Sequence, residues 1–185
     1  MEEKSKTATF ANGCFWCTEA VFQRFKGIEK VRSGYTGGKI KNPAYREVAM
    51  GLTNHAEAIQ FEYDPEVIRY KELLEVFFTT HDPTTLNRQG NDVGTQYRSA
   101  IFYDSEEQQK IAEAYVAWLE ENKVFDKPIV TEIKPLEAFY SAEEEHHAFY
   151  NRNKEMGYCQ YIINPKIDKI RKHYQQKLKE EYSVK

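Results

Sequence analysis

Apolar positions in this chain fall into short alternating runs and longer runs of helical spacing. Runs enriched in β-branched and aromatic residues, with partial alternation, predict strands over 7–11, 29–35, 55–63, 97–103 and 128–133. Helices are predicted over 15–25, 69–80, 106–122, 142–156 and 166–181. Two of them have legible starts. Ser105 with Gln108, and Ser141 with Glu144, each match a capping box, in which hydroxyl and N3 side chain satisfy backbone donors that the first turn leaves unpaired. The last helix carries Ile167, Ile170, Tyr174 and Leu178 on one stripe and Lys and Arg elsewhere, so it is expected to pack by a narrow seam and leave a solvated basic face. Strands separated by helices, with the first strand leading straight into a helix, predict a two-layer α/β (α+β) sandwich with a mixed central sheet.

Two segments break the pattern. Residues 33–45 (S-G-Y-T-G-G-K-I-K-N-P-A-Y) and 81–97 (H-D-P-T-T-L-N-R-Q-G-N-D-V-G-T-Q-Y) are long, polar and glycine-bearing. Loops of that length are uncommon unless functional or disordered, and their tyrosines speak against disorder, so they are read as walls of a site. Neither has the spacing of a phosphate-binding loop.

Composition narrows the frame. A chain of 185 residues, 41% hydrophobic, can bury one sizeable core, which predicts a single domain over 1–185. A net charge of -3 gives no reason to expect nucleic acid. The first residues lack the apolar segment of a secretory signal and no stretch approaches membrane-span length, so a soluble, cytoplasmic protein is expected. Three cysteines are an odd count, which fits a reducing compartment where thiols are catalytic, metal-bound or simply buried.

The chemistry concentrates in G-C-F-W-C-T at 13–18. A turn at Asn12 or Gly13 would place Cys14 at a helix start, where unpaired N–H groups and the helix dipole favour the thiolate. Cys17 falls one turn later on the same face, and is either a thiol partner or a small buried residue. Phe15 and Trp16 are either core residues or the wall of an apolar slot beside the thiol.

These residues belong to a larger pattern. G-C-F-W (13–16), S-G-Y-T-G-G (33–38), N-P-A-Y (42–45), N-H-A-E-A (54–58), Q-G-N-D-V-G-T-Q-Y-R-S (89–99) and G-Y-C (157–159) occur in order and with similar spacing across nearly the whole chain. The sequence thereby resembles the peptide methionine sulfoxide reductase A family. The resemblance implies a ferredoxin-like core with long active-site loops, and thiol-dependent reduction of methionine S-sulfoxide, free or in proteins, as a repair of oxidative damage. It makes Cys14 the nucleophile, Glu57 the acid that protonates the sulfoxide oxygen, and Tyr45 and Tyr97 its hydroxyl partners. Phe15 and Trp16 become the pocket for the substrate methyl group; Asp92 orders the long loop or a bound water, and Gly13 gives close access. A carboxyl group buried among aromatics would stay protonated near neutral pH and could donate. The sulfenic acid left on Cys14 would condense with a second thiol. Cys159 in G-Y-C matches the family's resolving cysteine and is expected to act first, with Cys17 passing the disulfide onward or resolving directly. No cofactor is implied beyond an external dithiol, most simply thioredoxin, and the protein is expected to work as a monomer.

Two rivals come from other classes. A zinc module built on Cys14, Cys17, Cys159 and His146 or His147 lacks a second paired half. A thioredoxin-like oxidoreductase lacks the βαβ context before its C-x-x-C. His146 and His147 are expected to pack or tether on the 142–156 helix.

Overall fold

The alternation in K-T-A-T-F-A-N makes β1 (Lys6–Asn12), with Ala8 and Phe10 on one face and Ala11 on the other. The computed structural model describes residues 5–183. The remaining strands are β2 (Ile28–Thr36), β3 (Ala56–Tyr63), the short ribbon β4 (Arg88–Gln89) and β5 (Asp92–Val93), then β6 (Ser99–Tyr103), β7 (Glu132–Pro135) and β8 (Phe139–Ser141). The helices are α1 (Phe15–Phe22), α2 (Tyr45–Ala49), α3 (Tyr70–Thr79), α4 (Glu106–Glu121), α5 (Phe149–Arg152), α6 (Asn164–Tyr174) and α7 (Glu180–Ser183).

Six strands form one sheet in the order β7-β6-β1-β3-β2-β8, antiparallel except for the β6–β7 pair. Its inner four, β6-β1-β3-β2, have α1 crossing from β1 to β2 and α3 on the connection from β3 to β6, which is the ferredoxin-like core expected. β1 is therefore central, and the chain leaves its end directly into α1. Phe10, Phe22, Phe61, Tyr70 and Phe77 pack ring against ring between sheet and helices. The opposite sheet face is a small cluster of Ala11, Ala56, Ala58, Ala100 and Phe102 covered by Leu136 and Phe139. No helix among the described residues is long and apolar enough to cross a membrane.

Helix α1 is apolar on nearly every side because it is enclosed by β2, β3, α5 and α6, and all of its residues but Trp16 are buried. It stops at Phe22, short of the expected 25, since Phe25 bridges to Leu178. The same contact breaks the expected 166–181 helix. Lys26 N–H donates to the Lys177 carbonyl and Lys179 N–H to the Arg24 carbonyl, so α6 ends at Tyr174 and the chain turns before α7. Ile167, Ile170 and Leu178 are still buried as one seam.

The 142–156 helix is replaced by something else. Residues 139–141 join the sheet as β8, Glu144–His146 make one 3-10 turn, and only Phe149–Arg152 are α-helical. Ser141 pairs with Gly34 and caps nothing. The cause lies far away in sequence: both carboxylate oxygens of buried Glu19 accept the Ala148 N–H, at 2.8 and 2.9 Å, and hold Ala148 left-handed at φ 55. By contrast Ser105 caps α4 as predicted, its hydroxyl accepting from Gln108 N–H, while the Gln108 side chain returns to Asp104 N–H.

Both long loops carry structure. The first runs from β2 into α2 and is clamped by His55, whose Nδ1 accepts from Gly38 N–H at 3.0 Å and whose Nε2 lies 2.6 Å from the Ile40 carbonyl oxygen. The second folds into the β4–β5 ribbon and a 3-10 turn at Thr95–Tyr97, so the strand expected from 97 begins at Ser99. The strand expected over 128–133 is displaced to β7, parallel to β6.

Candidate functional site

Cys14 is the N-cap of α1, with extended backbone (φ -60, ψ 128) and its carbonyl accepting the Cys17 N–H at 3.0 Å. Gly13 before it sits at φ +114, and a Cβ there would come within 3.0 Å of the Gln89 side chain, so the turn that aims Cys14 requires glycine for both reasons. Gln89 is itself fixed by hydrogen bonds in both directions to the Asp82 backbone.

Glu57 reaches the same place from β3. Its register opposite Tyr35 on β2 turns the carboxyl towards the start of α1, where Oε1 accepts the Phe15 N–H at 3.1 Å. Here the carboxyl, and not the Cys14 side chain, takes up a first-turn donor of the helix. Oε2 is buried and has no partner among the described residues. Burial raises the Glu57 pKa from an ordinary 4.5 to about 8, the Phe15 N–H pulling it down and Asp92 and Cys17 pushing it up. A carboxyl in that state holds its proton at neutral pH and presents an unengaged oxygen.

The thiols form a pair at the floor of the site. Cys14 and Cys17 are both buried and close enough for one side chain to hydrogen-bond the other. Burial raises the Cys14 thiol, reinforced by Cys17, whereas Cys17 is lowered by its bond to Cys14 and further by the Lys166 ammonium. Cys17 is therefore the easier of the two sulfurs to ionise. Cys159 is fully buried at the start of a π-helical turn, Cys159–Ile163, and its thiol is raised by burial and then by Cys17. All three thiols are free.

Above this floor stands an aromatic rim. Phe15 is buried against Tyr35, Tyr45 and His146. Trp16 stacks on Phe149 at 3.8 Å between centroids, meets Tyr158 edge-on, and donates its indole N–H to His146 Nδ1 at 3.2 Å. Burial lowers the His146 pKa, which keeps the ring able to accept that bond. Tyr45 is raised to about 12 and Tyr97 is raised as well, by burial first and then by Glu57 and Cys14, so both phenols remain protonated donors beside the thiol and the carboxyl. Asp92 accepts from the Tyr158 hydroxyl at 2.8 Å, and that hydroxyl lies 3.6 Å from Cys17 Sγ.

Cys14, Phe15, Trp16, Cys17, Tyr45, Glu57, Asp92, Tyr97 and Cys159 thus converge on one place, with Gly13 behind them shaping the turn. Four further residues belong to it that the sequence did not assign to it, His146 among them having been expected only to pack or tether. Glu143 accepts from the Tyr35 hydroxyl and the Tyr45 N–H, each at 2.9 Å, and so positions Tyr45. His146 orients Trp16. Tyr158 was legible only as part of G-Y-C, and Lys166 only as one of many surface lysines. His147 tethers as expected, its Nδ1 accepting from Ser33 N–H, though from a turn and not from a helix. Among the described residues no group of three or more His, Cys, Asp or Glu could hold a metal ion.

Residues 6–178 match the sequence model of a family described as peptide methionine sulfoxide reductase. A peptide methionine sulfoxide reductase MsrA of Sulfolobus acidocaldarius is 56% identical over 172 residues, covering 93% of this chain and 97% of that protein. Reduced Mxr1 from Saccharomyces cerevisiae superposes with a TM-score of 0.75 at 36% identity, over 84% of this chain and 90% of its own. Mxr1 in complex with Trx2 matches at a TM-score of 0.52 and 29% identity, over 79% of this chain and 85% of its own.

Proposed function

The chain belongs to the peptide methionine sulfoxide reductase family, and from that premise we propose the route by which its residues reduce methionine S-sulfoxide. The observation that carries the reading is Glu57. A carboxyl pinned to the first N–H of the helix that bears Cys14, protonated at neutral pH and with one oxygen unengaged, is an acid aimed at whatever Cys14 attacks. A sulfoxide needs that combination, because its oxygen leaves sulfur only once protonated.

In this route the Cys14 sulfur attacks the sulfoxide sulfur while Glu57 gives a proton to the oxygen and Tyr45 and Tyr97 donate hydrogen bonds to it. The attack bonds Cys14 sulfur to substrate sulfur; the protonated oxygen then passes from substrate sulfur to Cys14 as that bond breaks, so methionine leaves, Cys14 becomes a sulfenic acid, and sulfoxide sulfur is reduced as Cys14 is oxidised. The Cys14 proton returns to Glu57. Phe15 and Trp16 receive the substrate methyl group and fix which face of the chiral sulfur meets Cys14. Asp92, through Tyr158, holds the β4–β5 ribbon against the rim. A second thiol then converts the sulfenic acid to a disulfide, which an external dithiol reduces. Thioredoxin fits that part, since Mxr1, a structural relative, has been captured with Trx2. Three free thiols fit a reducing compartment such as the cytoplasm.

The test is the pH dependence of single-turnover methionine release from S-sulfoxide. The acid form of Glu57 is present below its pKa of about 8 and lost above it, so kcat/KM should fall on a limb centred near pH 8. A profile that keeps rising through pH 9 would contradict the assignment.

A further inference from the structure

Resting on the reading of Cys14 and Glu57 as the reducing pair, we infer that the exposed side chains of Met50, Leu52 and Val93 form a specificity surface beside the mouth of the site. It binds the residues that flank methionine sulfoxide in a polypeptide, and it favours apolar ones.

The exposed apolar surface is concentrated. Of the eleven large hydrophobic side chains exposed among the described residues, eight fall within 33–52, 81–97 and 154–162. Those segments also carry Tyr45, Asp92, Tyr97, Tyr158 and Cys159. The other three, Val67, Trp118 and Val124, lie outside them. Met50, Leu52 and Val93 are 64%, 67% and 64% exposed. One such side chain in water is ordinary, but three gathered beside one site mark a surface that something covers.

A single buried glutamine gathers them. Met50 follows directly on α2, the helix that Tyr45 opens, and the N–H groups of Met50, Gly51 and Leu52 all donate back to carbonyls of that helix. Gln96, the chain neighbour of Tyr97, donates its side-chain N–H to the Ala49 carbonyl at 2.9 Å, and a Cβ on Gly51 would stand 3.9 Å from its Oε1. On the other side the same amide lies so close to Gly94 that a Cβ there would collide with it, which brings Val93 up to it as well. The patch is therefore built on fixed backbone and held next to Tyr97, so little order has to be created when it is covered.

Its position identifies what covers it. The sulfoxide enters as a side chain between Tyr45 and Tyr97, and the main chain that carries it must run over the surface beside those tyrosines. Free methionine sulfoxide has no neighbouring residues to lay on the patch; a polypeptide has them on both sides. A flexible thioether with two branched aliphatic side chains accepts apolar neighbours of varied shape. Tyr161 and Ile162, by contrast, adjoin Cys159 and leave the approach of a dithiol protein a separate apolar contact.

The test compares two acetylated, amidated peptides, with leucines or with serines on both sides of one methionine S-sulfoxide, and N-acetyl-methionine S-sulfoxide amide, which has no flanking residues. Methionine formed in one turnover without reductant is read after rapid quench at subsaturating substrate, so no dithiol protein takes part. The leucine peptide should react at least about tenfold faster than the serine peptide, the scale of burying part of a leucine side chain. In the triple variant Met50→Ser/Leu52→Ser/Val93→Ser that advantage should disappear, while the rate with the amide stays as in the wild type. The readout is a ratio within one variant, so a general loss of rate does not enter it. A wild type that treats the two peptides alike, or a triple variant that keeps the ratio, would overturn the proposal; if it keeps the ratio and needs more thioredoxin in steady-state turnover, the patch belongs to the dithiol protein instead. If the wild type fails to reduce even the amide, it is the reading of Cys14 and Glu57 that has failed, and the specificity surface with it.

Discussion

Replacing Cys14 with serine is expected to reduce methionine sulfoxide turnover by at least about 10⁴-fold while leaving the fold intact. A hydroxyl at the N-cap of α1 is acceptable to the helix, since serine is a preferred residue there, so loss of activity would not reflect loss of structure. What disappears is the helix-start sulfur that shares its surroundings with Glu57, Tyr45 and Tyr97. Cys17 cannot substitute: it lies one turn further along α1, and the side chains that hydrogen-bond it are those of Cys14 and Tyr158. Circular dichroism and steady-state turnover with a dithiol reductant check both halves of the expectation. Retention of more than a small residue of activity would move the nucleophile elsewhere.

Glu57→Gln carries the second large effect. The amide can still accept the Phe15 N–H and can offer its own N–H towards a sulfoxide oxygen, but it has no transferable proton. Chemistry should slow by about 10²- to 10⁴-fold with a much smaller change in KM, and the limb near pH 8 should vanish. Stability should move the opposite way. In the unfolded chain Glu57 ionises near 4.5, in the folded chain near 8, so ionisation opposes folding. That penalty is absent below pH 4.5, grows as the pH rises through this window, and is fully present above 8. At pH 9 the glutamine variant should therefore resist denaturant better than the wild type, and at pH 4 the advantage should disappear. A variant that is slower and also less stable at pH 9 would mean that the carboxyl supports the fold in its charged form.

The site was legible to different depths. The place of Cys14 could be read from physics, because a glycine after a strand and before a helix puts the next residue at a helix start, and that is where it stands; the ready thiolate expected there is not found, since burial raises the Cys14 thiol. The ferredoxin-like core followed from the alternation of strands and helices together with the family resemblance. Glu57 could not be read from spacing, since N-H-A-E-A looks like any strand with one exposed carboxylate. Only pairing with Tyr35 on β2 and proximity to α1 bury it. The segment after β8 misled for the opposite reason. S-A-E-E-E-H-H has the composition of a solvated helix with a good cap, and Glu19, 129 positions earlier, overrides it by capturing the Ala148 N–H. That override brings His146 to Trp16 and Glu143 to Tyr45, so the residues that orient the rim became visible only in three dimensions.

One sulfur and one acid suffice for the reduction itself, and the other thiols act later. The direct test is a single turnover of the Cys17→Ser/Cys159→Ser double variant with excess methionine S-sulfoxide and no reductant. The prediction is one methionine per chain, released at close to the wild-type first-turnover rate, with Cys14 left as a trappable sulfenic acid. Release of no methionine would contradict it, because a second thiol would then be taking part before the S–O bond breaks.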